Sequence, residues 1–359
     1  MWHSNDFTRR LGLRYPIVQG PFGGGLSSIE LLGTVSDAGG LGSFGVHHLA
    51  PEQIAQTAQQ IRARTQRPFA LNLWVSNQDP GGDRLTQAQF DAAVERFRPY
   101  YDELGMAPPT MPPRYGQRFE DQVQAVLDAR PHVFSFVFGV PSADILAECR
   151  RRGIVTAGAV TTIDEAVAMD QAGVDVIVAT GFEAGGHRVS FLRSAEDSLT
   201  GTFALIPQVV DRVKAPVIAA GGIADARGVA AALTLGAQGV QIGTAFLACE
   251  ESVASQLHRD LLFSDDAKYT ALTRAFSGRL ARGIRNRFVD DAQASGVAPL
   301  PYPIQNWFTG SFKPTATAQG RSDMISLWAG QGAPLLRHRR AADLFADLVR
   351  GTDALLGTS

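Results

Sequence analysis

The chain has 359 residues, 45% of them hydrophobic, and a formal net charge of -2 at pH 7. That length holds one large α/β barrel with additions, or two smaller domains. The near-neutral charge gives no reason to expect nucleic acid or an anionic membrane as partner, and no apolar run reaches the length of a membrane span. The first residues, Met1 to Phe7, lack the charged and apolar regions of a signal peptide, so a cytoplasmic protein is expected. Cys149 and Cys249 lack metal-ligand spacing. A disulfide between them stays open, with reduced buried thiols the expectation.

Ile17-Val18-Gln19-Gly20-Pro21-Phe22 reads as a first strand running into Gly23-Gly24-Gly25. Ser27 or Ser28 then caps a helix carrying Ile29, Leu31, Leu32 and Val35. A second strand over 41–46 precedes Pro51, which suits the first turn of a helix. The third strand covers 69–75; its Asn72 is polar inside an apolar run, so it bonds neighbouring backbone or reaches a ligand. Residues 77–118 break the alternation with Pro80-Gly81-Gly82, a helix over 87–104 and the Pro-rich 108–113. They read as an insertion with structure or function of its own. Strands over 133–139, 154–160, 174–179, 216–220 and 239–243 follow, separated by helices over 142–152, 162–172, 203–213 and 226–235.

Eight strand-and-helix units with continuously apolar strands predict an α/β fold, a parallel (β/α)8 TIM barrel. A doubly wound sheet is the alternative; it needs neither so many units nor motifs at the ends of both late strands. The barrel is placed at 1–249, with the insertion at about 77–118. Residues 250–359 form a C-terminal helical capping segment, including a Pro and aromatic stretch over 299–312.

The sixth strand ends in Gly181-Phe182-Glu183-Ala184-Gly185-Gly186-His187-Arg188. Gly185 and Gly186 allow close backbone approach to a bound group, and His187 then lies at the catalytic end of the barrel. Gly221-Gly222 and Gly243-Thr244 end the seventh and eighth strands, the usual phosphate site of this fold. Glycine N–H groups there attract an anion, which points to a phosphorylated cofactor; close packing at barrel corners is the other reading.

Taken together, these segments resemble the nitronate monooxygenases, formerly 2-nitropropane dioxygenases, particularly their class I branch. The likeness spans roughly residues 6–350. It rests on Gln19-Gly20-Pro21, Leu71-Asn72-Leu73, Glu183 to Arg188, Ala219 to Asp225 and Gln241 to Phe246. Ser277-Gly278-Arg279, Ala281-Arg282-Gly283 and Trp328-Ala329-Gly330-Gln331-Gly332 add to it. The resemblance implies noncovalent FMN, O2 as oxidant, and conversion of an alkyl nitronate to a carbonyl compound and nitrite. It implies flavin contacts from Gln19, Gly20, Pro21, Asn72, Thr180, Gly181, Gly185, Gly186, Gly221, Gly222, Gln241, Gly243 and Thr244. Of these, Gly221, Gly222, Gly243 and Thr244 match phosphate-holding positions. His187 matches the base that deprotonates neutral nitroalkanes, a task that suits an imidazole. The implied partners are a small-molecule substrate and O2, with no metal, in a monomer or homodimer.

Departures fall on the substrate side. Thr180 stands where many class I members have Gln, and Val137 where many have His. Gln305-Asn306-Trp307-Phe308 carries no Lys in register, and Gly20 and Phe22 replace the common Ala and Met. Phe22, Val137, Trp307 and Phe308 are therefore expected to line a pocket for a bulkier, more apolar substrate. Glu183 reads as a structural carboxylate, Arg188 as a surface salt bridge, and His47 and His48 as polar loop residues. Two further functions stay open. One is an FMN reductase using NAD(P)H, because flavin enoyl and quinone reductases share the glycine and His motif. The other is a flavin-binding relative with changed chemistry.

Overall fold

The computed structural model describes residues 1–357. Its centre is a ring of parallel strands: β1 (Ile17–Gln19), β2 (Gly42–Gly45), β3 (Phe69–Trp74), β4 (Val133–Val137), β5 (Val155–Val160), β6 (Val176–Thr180), β8 (Val217–Ala220) and β9 (Gly239–Ile242). A short β7 (Gly186–His187) pairs instead with β11 (Ala281–Ile284), which pairs with β10 (Thr270–Thr273) in a separate antiparallel sheet. The eight-stranded sheet runs β1-β9-β8-β6-β5-β4-β3-β2. A parallel bridge between Val18 and Leu41 brings its two ends together, giving the (β/α)8 barrel. Strand side chains such as Ile17, Leu71, Phe134, Ile177 and Val240 are fully buried, as a parallel sheet covered by helices requires.

Local chemistry sets the element starts. Ser28 caps helix Ile29–Asp37 by accepting from Leu31 N, and Asp225 caps Ala226–Thr234 by accepting from Arg227 and Gly228. Ser27 has a different task. Its hydroxyl donates to Phe22 O at 2.9 Å and accepts from Phe22 N and Gly45 N, which pins the glycine loop after β1 to the end of β2.

The insertion and the C-terminal segment meet over the barrel. Helix Gln87–Glu103 buries Phe90, Phe97 and Tyr101. Phe97 stacks on Phe308 of helix Ile304–Ala318, with ring centroids 5.0 Å apart and planes 9° from parallel. The terminal helix Ala341–Leu356 packs on Ala226–Thr234 and Ile29–Asp37 through buried Leu344, Phe345 and Leu348. Cys149 and Cys249 are both buried and free. Among the described residues no helix is long and apolar enough to cross a membrane, and no His, Cys, Asp and Glu group could hold a metal ion.

Candidate active site

At the C-terminal ends of the strands a cavity of about 520 Å³ opens, within the usual range for ligand sites. Gly20, Pro21, Asn72, Thr180, Gly185, Gly186, His187, Gly221, Gly222, Gln241, Gly243 and Thr244 all line it, as do Phe22 and Val137. Gln19 and Gly181 stand behind the wall. Gln19 is 1% exposed and its Oε1 accepts from Ser43 N, so it ties β1 to β2. At Gly181 a Cβ would lie 1.9 Å from Thr202 Oγ1, so glycine there serves close packing.

Trp307 and Phe308 do not line the cavity. Phe308 is fully buried on Phe97, and Trp307 packs edge-on against Tyr115. They anchor the insertion because a helix buries one face and this one turns its aromatic side chains toward helix Gln87–Glu103. The same stretch still reaches the cavity through Tyr302, Pro303 and Asn306. The aromatic wall comes instead from Trp74, Tyr115, Tyr302 and Trp328.

His187 sits on β7, held in register opposite Ala281 of β11. Its Nε2 lies 2.8 Å from Ser277 Oγ. That hydroxyl donates to Arg279 O at 3.1 Å and accepts from Arg279 N at 3.3 Å. With its single proton so used, Ser277 favours the tautomer in which it accepts from His187 Nε2–H, which leaves the Nδ1 lone pair without a partner among the described residues. Trp74 and Trp328 pack around the ring at 5.0 and 5.4 Å. Burial, and then the Arg279 charge, push its pKa down to about 3, so the imidazole is neutral. Arg279 itself is held by Asp79 at 2.9 Å and lies over the rings of Phe138 and Tyr302.

Gly221 and Gly222 have φ of 109° and 69°, conformations that favour glycine. The N–H groups of Gly222, Ile223 and Gly243 have no partner among the described residues. A Cβ built on Gly243 would meet no protein atom within 4 Å. Among the described residues the lining has no Asp or Glu, and Arg114 is its one Lys or Arg. Glu183 is turned away, its carboxylate accepting from Thr202 N and Oγ1. Arg188 is a correction: it is 1% exposed and donates to the carbonyls of Thr180, Gly181 and Ser198, clamping the loop after β6. Burial lowers its pKa to about 10.

A nitronate monooxygenase family model matches residues 5–351. The chain belongs to the nitronate monooxygenase family. It is an oxidoreductase of that type. It is 40% identical over 359 residues to a probable nitronate monooxygenase of Staphylococcus haemolyticus, covering 99% of each chain. It is 37% identical over 358 residues to one from Staphylococcus aureus strain Newman, again covering 99% of each. Among solved structures it resembles a nitroalkane oxidase from Streptomyces ansochromogenes, with TM-score 0.88, 33% identity, and 99% and 100% coverage. FabK from Thermotoga maritima is similar at TM-score 0.76 and 26% identity, with 99% and 98% coverage.

The family motifs beyond the barrel acquire a physical reason. Ser277 orients His187, and Arg282 donates to Phe182 O in the loop after β6. Gly330 N donates to Thr244 Oγ1, and a Cβ at Gly185 would lie 2.6 Å from Gly330 N. Trp74, Tyr302 and Trp328 were not legible as cavity residues: no spacing in the chain separates a cavity-facing aromatic side chain from a core one.

Proposed function

We propose that the protein is an FMN-dependent oxidase of alkyl nitronates, or of a related stabilised carbanion, consuming O2 and releasing a carbonyl compound and nitrite. The observation that carries this reading is one carboxylate-free cavity joining unpartnered backbone donors to a neutral imidazole with a free Nδ1. The donors of Gly222, Ile223 and Gly243 suit a terminal phosphate, and the open space beside Gly243 leaves room for it. Asn72 and the glycines after β6 and β8 line the same cavity, which supports a site there for the rest of the group. FMN, when bound there, would carry electrons from the carbanion to O2. Atoms balance when two nitronates and one O2 give two carbonyl compounds and two nitrites.

The chain's own residues govern the proton. His187 Nδ1 takes the α-proton of a neutral nitroalkane, and the C–H electron pair moves onto the nitro oxygens. Ser277 fixes the tautomer that makes this possible. An anionic product meets no lining carboxylate. Trp74, Tyr302 and Trp328 keep water from the reacting carbon. The test is a flavin spectrum of the purified protein followed by O2 uptake and nitrite release with nitronates. A second reading, a flavin reductase using NAD(P)H, is supported by the likeness to FabK. Rapid anaerobic bleaching of the flavin by NAD(P)H, with no nitrite formed from nitronates, would replace the first reading by the second.

A further inference from the structure

His47, at the loop after β2, is a cavity residue whose imidazole makes no hydrogen bond among the described residues. It is 7% exposed and lines the cavity, and its Nδ1 is sealed from solvent without a partner. Burying such a group unpaired is costly, and three of the four orphaned buried side-chain atoms among the described residues belong to cavity residues: His47 Nδ1, Asn77 Oδ1 and Tyr115 OH. Packing alone holds the ring. It stacks on Trp74 with centroids 4.1 Å apart and planes 10° from parallel. A Cβ at Gly23 would come within 2.8 Å of His47 Cε1, so glycine at that position makes room for the imidazole. Gln122 Nε2 fixes the His47 carbonyl from behind at 2.9 Å.

Trp74 also carries His187 on its edge at 5.0 Å, so the two imidazoles share one aromatic wall. Burial, reinforced by His48, His187 and Arg279, holds His47 neutral. A neutral imidazole has one N–H to donate. With Nδ1 sealed, Nε2 is the nitrogen left to face a ligand, and no lining carboxylate competes for it.

We propose that His47 is a second substrate-binding residue, whose Nε2–H donates to an oxygen of the planar nitro or nitronate group. This rests on the nitronate reading above. As the α-proton passes to His187 Nδ1, the C–H electron pair becomes charge on the nitro oxygens, and the His47 N–H meets that charge.

Nitrate, a planar oxyanion that cannot be oxidised here, is the probe. The holoenzyme is titrated with sodium nitrate and binding read from the flavin absorption spectrum. The wild type should bind; His47→Phe and His47→Met, both without a donor, should bind about 10- to 100-fold more weakly at unchanged flavin content. His47→Gln, which keeps an N–H, should recover most of the loss. Two donorless variants are used so that one which fails to fold leaves the other to decide. Nitrate binding unchanged in either, or absent from the wild type, overturns the proposal. His47-dependent nitrate binding in a protein that consumes no nitronate would sink the reaction and leave the subsite standing.

Discussion

His187 has a free Nδ1 because a hydroxyl 90 residues away in sequence accepts its Nε2–H. Ser277→Ala removes that acceptor and lets the ring exchange tautomers. Turnover of neutral nitroalkanes should fall about 3- to 10-fold, the worth of one ordinary hydrogen bond, with turnover of preformed nitronates unchanged. Equal losses on both forms would show that Ser277 only supports the fold. The pKa of about 3 has its own consequence. A base already unprotonated well below pH 6.5 gives no acid limb near that value, so kcat/KM on a neutral nitroalkane should stay flat from about pH 8 to pH 5. A limb centred near 6.5 would mean that His187 titrates like an exposed imidazole. The His motif was readable at this scale from its glycines and strand end. Ser277 was visible only as part of a familiar segment, since nothing in the spacing tells that β7 will pair with β11.

The elements beyond the barrel divide the work. Glycine positions at the ends of β8 and β9 differ in what surrounds them, and that makes them separable. At Gly243 a Cβ meets no protein atom within 4 Å, so Gly243→Ala should leave apoprotein stability within about 0.5 kcal/mol of wild type. FMN affinity should nonetheless fall at least tenfold, because the methyl group occupies the space assigned to the phosphate. Unchanged FMN binding, measured by fluorescence titration, would place the phosphate elsewhere. The insertion and helix Ile304–Ala318 hold one another through Phe308, which is fully buried. Phe308→Ala should cost about 3–5 kcal/mol in denaturant melts and leave the relative kcat/KM over nitronates of different chain length unaltered. A changed chain-length preference would restore this residue to the substrate pocket. The sequence pattern marked Trp307 and Phe308 as aromatic area near the capping segment. It could not show that the area faces helix Gln87–Glu103, because two amphipathic helices hide each other's faces until their packing is known.

The whole molecule carries several imidazoles that folding keeps neutral. Burial lowers His47 well below its ordinary value, His187 to about 3 and His258 to about 4. Above about pH 6.5 both folded and unfolded chains leave them uncharged, so they contribute nothing there. Below it the unfolded chain binds protons that the native protein refuses, and stability falls as pH drops from about 6.5 toward 4. Tm of the apoprotein should decline over that window, with a smaller slope in His187→Asn; identical slopes would mean that His187 is not held neutral by the fold. At this scale the barrel was the most legible feature. Strands such as β3 and β6 are buried on both faces and so read as largely apolar runs, with Asn72 and Thr180 as their polar members. The buried clamp by Arg188 was not legible, since an arginine beside a glycine loop reads as a surface charge until its carbonyl partners come together in space.

The most direct measurement is O2 uptake by the FMN-loaded protein with one nitroalkane offered in its neutral form and as preformed nitronate, in wild type and His187→Asn. The expected result is oxidation of both forms by the wild type, and a loss of about 10²- to 10⁴-fold confined to the neutral form in the variant. Equal activity of His187→Asn on the neutral form, or no oxidation of either form by the wild type, would contradict the assignment of this cavity to nitronate chemistry with His187 as its base.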